Sequence, residues 1–108
     1  MANKYRNEVE VTLNGESYTL RPTFNCIVEI EAAVGCSLMQ FLPRFVAGQM
    51  TASQAFAILS AGIKGAGDKV AADSLQENMA EGGFNDVVVA IDKFLTASTM
   101  SGDAIKKN

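Results

Sequence analysis

Apolar and polar positions alternate from the start of the chain: Val9, Val11 and Leu13 are separated by Glu10 and Thr12 and preceded by Glu8. A period of two marks a strand with one buried face. Asn14-Gly15 follows, and both residues tolerate the positive φ of a two-residue type I′ turn. Pairing outward from that turn sets Leu13 opposite Glu16, Val11 opposite Tyr18, Val9 opposite Leu20 and Glu8 opposite Arg21. One face then collects Val9, Val11, Leu13, Tyr18 and Leu20, a chemically consistent register. Pro22 cannot donate to a ladder and ends the second strand.

Past Pro22 the apolar spacing becomes helical. A first helix is expected to begin within 23–25, to carry Ile27, Val28, Ile30 and Val34, and to stop at Gly35. Ser37 caps a second, with Leu38, Phe41, Leu42, Phe45 and Val46, ending at Gly48 and kinked or shortened by Pro43. Thr51-Ala-Ser-Gln54 matches the capping box, in which hydroxyl and amide side chains satisfy reciprocal backbone donors. The third helix places Ala55, Ile58, Leu59 and Ile63 on one stripe and breaks at Gly65-Ala66-Gly67. A weaker fourth starts near Asp73 or Ser74 and carries Leu75 and Met79 to Gly82-Gly83. The fifth spans about 84–98, with Phe84, Val87, Val88, Ile91 and Leu95 inward. Its run Val87-Val88-Val89 is β-prone, so a strand is the alternative there.

The pattern therefore predicts an α+β fold, an N-terminal β-hairpin followed by about five short helices. Residues 1–100 form one domain and 101–108 a polar, flexible tail. A lone two-stranded hairpin is marginal in water, so it must pack on the helices or extend a partner's sheet.

Composition narrows the function more than the fold. At 108 residues, 48% of them hydrophobic, the chain has enough material for one core and too much apolar content for disorder. The net charge is −3, and residues 68–92 hold Asp68, Asp73, Glu77, Glu81, Asp86 and Asp92 against Lys69 alone. Phosphate backbones need a concentrated basic surface, so nucleic acid is not an expected partner. The acidic stretch reads first as a solvated helix face and second as a docking surface for a basic partner. No apolar run approaches the ~18–20 residues of a membrane span, and the polar start lacks a secretory h-region. The expected location is cytoplasmic.

Candidate chemistry is sparse. The chain has no His, so a zinc site would have only thiolates and carboxylates, and no metal or cofactor is expected. Cys26 and Cys36 on one helix would lie about 15 Å apart at 1.5 Å per residue, too far for a disulfide. Gly62-Ile-Lys-Gly-Ala-Gly67-Asp-Lys69 looks like a phosphate loop, but it follows a helix and has no Ser or Thr after Lys69. It reads as a connector between helices. Glu29 and Glu31, two apart, point to different sides of a helix and make no acid–base pair. No group of residues supports nucleophilic catalysis, so an enzyme is not expected.

What remains is apolar surface. Met39, Phe41, Leu42, Phe45, Val46 and Met50 crowd with Leu38 into thirteen residues, more than one helical face can bury. They form the core of a small bundle, or they line a groove or oligomer contact that adapts through Met and Phe. Those six are the candidate partner-binding residues.

The opening Ala2-Asn-Lys-Tyr-Arg-Asn-Glu-Val-Glu-Val-Thr-Leu-Asn-Gly15 resembles the start of gene transfer agent family proteins. Tyr18-Thr-Leu-Arg-Pro-Thr-Phe-Asn25, Ile27-Val-Glu-Ile-Glu-Ala-Ala-Val-Gly35 and Ala61-Gly-Ile-Lys-Gly-Ala-Gly67 are similar to later parts of the family pattern. The resemblance covers roughly residues 4–96. It implies a tailed-phage or prophage tail assembly chaperone, a family sometimes labelled phage tail tube protein. Such a chaperone would bind the tape measure protein, help recruit the tail tube protein, and leave before the particle is finished. Homo-oligomers are compatible with that role. The alternative is a structural component of the tail, with the hairpin joining a ring-forming sheet.

Overall fold

The computed structural model describes residues 8–106; residues 1–7 and 107–108, and the parts of the N-terminal segment and of the 101–108 tail they carry, lie outside the described residues. The alternating segment forms an antiparallel hairpin of β1 (Val9–Leu13) and β2 (Glu16–Leu20). Leu13 pairs with Glu16, Val11 with Tyr18 and Val9 with Leu20, the register the turn chemistry predicts. Asn14 and Gly15 take φ of 53° and 80°, as a type I′ turn requires. Five helices follow: α1 (Phe24–Val34), α2 (Leu38–Val46), α3 (Ala52–Gly65), α4 (Ala72–Gly82) and α5 (Phe84–Lys106).

Local capping chemistry sets the starts of the first three helices. The Thr23 hydroxyl accepts from the Cys26 amide at the start of α1, and Gly35 closes that helix in the left-handed conformation at φ 79°. Capping boxes open both α2, through Ser37 and Gln40, and α3, through Thr51 and Gln54. Pro43 sits inside α2, which ends three residues later at Val46 rather than at Gly48. The Val87-Val88-Val89 run is helical, and α5 continues for 23 residues to Lys106, well past the 98 expected. The backbone of 101–106 thus belongs to this helix, which spans about 34 Å at 1.5 Å per residue.

The hairpin packs into the helices by its apolar face. β1 lies against α5 and β2 against α3, while α1 packs along another side of α3 and α4 alongside α5. Leu13 and Leu20 are fully buried together with Ile30, Phe41, Ile58, Leu59, Ile91 and Phe94. Asn78 on α4 holds the turn in place. Its amide donates to the Tyr18 hydroxyl at 2.6 Å, and its carbonyl oxygen accepts from the Asn14 amide at 3.2 Å.

The glycine-rich segment has a packing role, and its position corrects the sequence reading. Gly62 and Gly65 lie within α3 rather than after it. The Gly62 carbonyl accepts from the Arg21 amide at 3.0 Å. A Cβ on Gly62 would stand 3.0 Å from Leu20 Cβ and 3.1 Å from Phe94 Cζ; one on Gly65 would overlap the Arg21 carbonyl oxygen. Missing side chains are what let the chain leaving β2 cross so near to α3.

Helix propensity and packing therefore make opposite predictions here. Alanine exceeds glycine by about 1 kcal/mol in a helix interior, yet overpacking against backbone costs roughly 1–3 kcal/mol or more. Gly65→Ala should lower the melting temperature, and Gly62→Ala, which meets side-chain atoms at 3.0–3.1 Å rather than overlapping backbone, should lower it less. A calorimetric rise in both variants would show that α3 tolerates the added methyl.

Candidate protein-binding surface

Helical geometry divides the six candidate residues of the α2 region. At 100° per residue, Met39 and Val46 share one face of α2, and Phe41 projects from the opposite one. Phe41 is 1% exposed and Met50 8%, so both belong to the core; this corrects the expectation that the six form one surface. Leu42 and Phe45 are half-buried against that core. Met39 at 69% and Val46 at 83% remain open.

Other apolar side chains are also uncovered. Phe24 is 81% exposed and Val28 lies one turn along the same side of α1. Phe84, expected inward, is 52% exposed at the start of α5, although Val87, one turn on, is buried. Phe94, absent from the expected stripe, is fully buried instead, against Gly62.

Phe84 stands at an open groove of about 570 Å³ between α3, α4 and α5. Ala52, Phe56, Met79, Ala80, Phe84 and Val87 supply its apolar lining. Sequence periodicity missed this site because three separate helices each contribute only two or three residues. The signal present was the pairing of Phe84 with Met79 across Gly82-Gly83, where the chain turns from α4 into α5.

The ionisable groups are arranged for solubility and packing. Glu29 and Lys64 form an ion pair of 2.9 Å between α1 and α3, with both side chains about half exposed; such exposed pairs contribute little. Lys93 Nζ donates to the Glu10 carbonyl at 2.7 Å. Asp73, Glu77, Glu81, Asp86 and Asp92 are all exposed. Among the described residues, no group of His, Cys, Asp and Glu has a metal-binding arrangement. No single helix there is long and apolar enough to cross a membrane. The α1–α2 pair reaches that length only together, with a 60° bend between its members.

A family model described as phage tail tube protein, GTA-gp10, matches residues 6–101. The chain belongs to this family. It is a phage-tail-associated protein, and the family implies contact with other tail proteins. Neither the curated proteins nor the solved structures contain a match.

Within this tail protein both cysteines are free, Cys26 buried and Cys36 half-buried. Burial pushes the Cys26 thiol up from 9.0 to about 12, with the nearby Glu29 charge adding to the effect. The thiolate is the reactive form, so a native-state thiol reagent should label Cys36 and spare Cys26 until the chain unfolds. A group with a raised folded pKa contributes stability that is complete below its unfolded pKa and is lost through its folded one. The Cys26 contribution should thus hold below pH 9 and drain away between pH 9 and about 12. Denaturant titrations of the parent and Cys26→Ala should show a stability difference that narrows across that window.

Proposed function

We infer that this phage-tail-family chain is a tail assembly chaperone, which holds the tape measure protein in the host cytoplasm and helps deliver tail tube subunits to it. The observation that carries this reading is the open apolar face of α2, Met39 and Val46, on a domain that already possesses a complete core. A long helical protein awaiting assembly exposes apolar stripes, and a factor that covers them must keep matching apolar surface uncovered when alone. Each large side chain buried in such a contact is worth about 1.5–3 kcal/mol. Leu42 and Phe45, half-buried beside this face, extend it; Phe41 and Met50 support it from the core.

A structural tail component is the second reading, favoured by the tail tube description of the family. Ring-forming sheets assemble through free strand edges. The hairpin is a weak candidate for that, because Lys93 engages Glu10 beside β1 and Gly62 engages Arg21 at the end of β2.

Met39→Asp with Val46→Asp alters only exposed positions, so the fold should persist. On co-expression with a tape measure protein from the same phage, the double variant should bind roughly tenfold more weakly or worse and leave that protein insoluble. Undiminished solubility with a folded double variant would remove α2 from the contact. Mass spectrometry of purified particles separates the two readings: many copies per particle would establish the structural role, and absence would favour the chaperone.

A further inference from the structure

We propose that the groove between α3, α4 and α5 is a docking site for a basic amphipathic helix of another tail protein. The inference rests on the reading of this chain as a protein-holding factor only for the source of that helix. It uses a surface separate from the face of α2.

The shape selects a helix. The apolar lining comes as helical ridges: Ala52 and Phe56 are four apart on α3, Met79 lies beside Ala80 on α4, and Phe84 and Val87 are three apart on α5. Rows of side chains at such spacings leave grooves into which the ridges of a further helix fit. Met79 and the half-exposed Phe84 let the lining adapt to side chains of different shape. Ser53 and Gln76 are the polar lining residues, suited to a rim that meets water at the helix's edges.

The charge selects a basic one. The α4 wall, Ala72–Gly82, contains no Lys or Arg, while the cations of the other two helices, Lys64 of α3 and Lys93 of α5, are absent from the groove lining. α4 contains Asp73, Glu77 and Glu81, all exposed. Asp73, Glu77 and Glu81 are spaced four apart, so they form one row on α4, and Glu77 stands only about 60° around the helix from Ala80. The partial positive charges at the starts of α3 and α5 are each about half a unit. Thr51 and Gln54 engage the first of these, and Asp86 sits in the first turn of the second. Whole carboxylates therefore dominate the local field. A helix with an apolar stripe at i, i+3 or i+4, and i+7, flanked by Lys or Arg, matches both the floor and the rim. A second copy of this chain matches poorly: its open α1 face, Phe24 and Val28, is followed by Glu29, and its α2 face has Arg44 as its one cation.

The test titrates the full chain, by fluorescence anisotropy, with three designed peptides of about 18 residues, five helical turns. One has a Leu/Phe stripe flanked by Lys, the second has the same stripe flanked by Glu, and the third is the Lys peptide broken by a central Pro. The Lys-flanked helix should bind at least about tenfold more tightly than either other peptide, and salt should weaken it. Glu77→Lys with Glu81→Lys, both at exposed positions, should erase the preference for Lys with an unchanged melting temperature. Phe84→Ser should weaken the Lys peptide severalfold. Equal binding of all three peptides, or indifference to these variants, overturns the proposal. So does self-association in sedimentation that Ala80→Trp abolishes, since the occupant is then a second copy.

Overlapping peptides of the tape measure protein, run in the same assay, separate this proposal from the functional reading. Tape measure binding that depends on Met39 and Val46 but not on the groove sinks the groove alone. Binding of the designed helix with no tape measure peptide bound sinks the tape measure reading and leaves the groove.

Discussion

The close crossing between the end of β2 and the glycine-bearing half of α3 is the contact on which the rest of the fold depends. Two strands have too little buried surface to persist alone. Here Gly62 and Gly65 let the chain at Leu20 and Arg21 approach the helix backbone, and the Arg21 amide bonds directly to the Gly62 carbonyl. Leu20 is buried in that crossing beside Phe94, which draws α5 over the same point. The hairpin turn is then held to α4 by Asn14, Tyr18 and Asn78.

This arrangement consumes the hairpin. Its apolar face is spent on α3 and α5, and polar groups of Lys93 and Gly62 meet the backbone on either side. The outer faces of the helices, by contrast, are unevenly covered. α3 is enclosed by α1, β2, α4 and α5, while α1, α2 and the junction of α4 with α5 present Phe24, Met39, Val46 and Phe84 to solvent. Scattered exposed apolar residues are ordinary; a ridged groove on a helix with a row of carboxylates is less so. The family assignment supplies the setting, a phage tail, and implies contact with other tail proteins.

The two candidate surfaces differ in how visible they are along the chain. Met39 and Val46 were among the residues singled out by crowding between 38 and 50, but crowding alone does not say which members face outward. That depends on the direction from which α1 and the rest of the core approach α2, and it sent Phe41 and Met50 inward. The groove was not visible at all, because Ala52, Gln76 and Val87 are distant in sequence and each is unremarkable in its own helix.

By itself the sequence determined whatever short-range chemistry decides. The alternation from Val9 and the Asn14-Gly15 turn set the hairpin register, since a slip by one residue would reverse every side chain. Thr23, Ser37 and Thr51 set three helix starts through bonds that span three residues. Tertiary structure decided what rests on long-range approach: Phe84 outside and Phe94 inside, glycines in α3 as a crossing point rather than a connector, and a groove shared by three helices. It also carried α5 to Lys106, beyond the last apolar repeat. Periodicity records which residues a helix buries, whereas its length and its neighbours are set by the hydrogen-bond ladder and by the packing of distant segments.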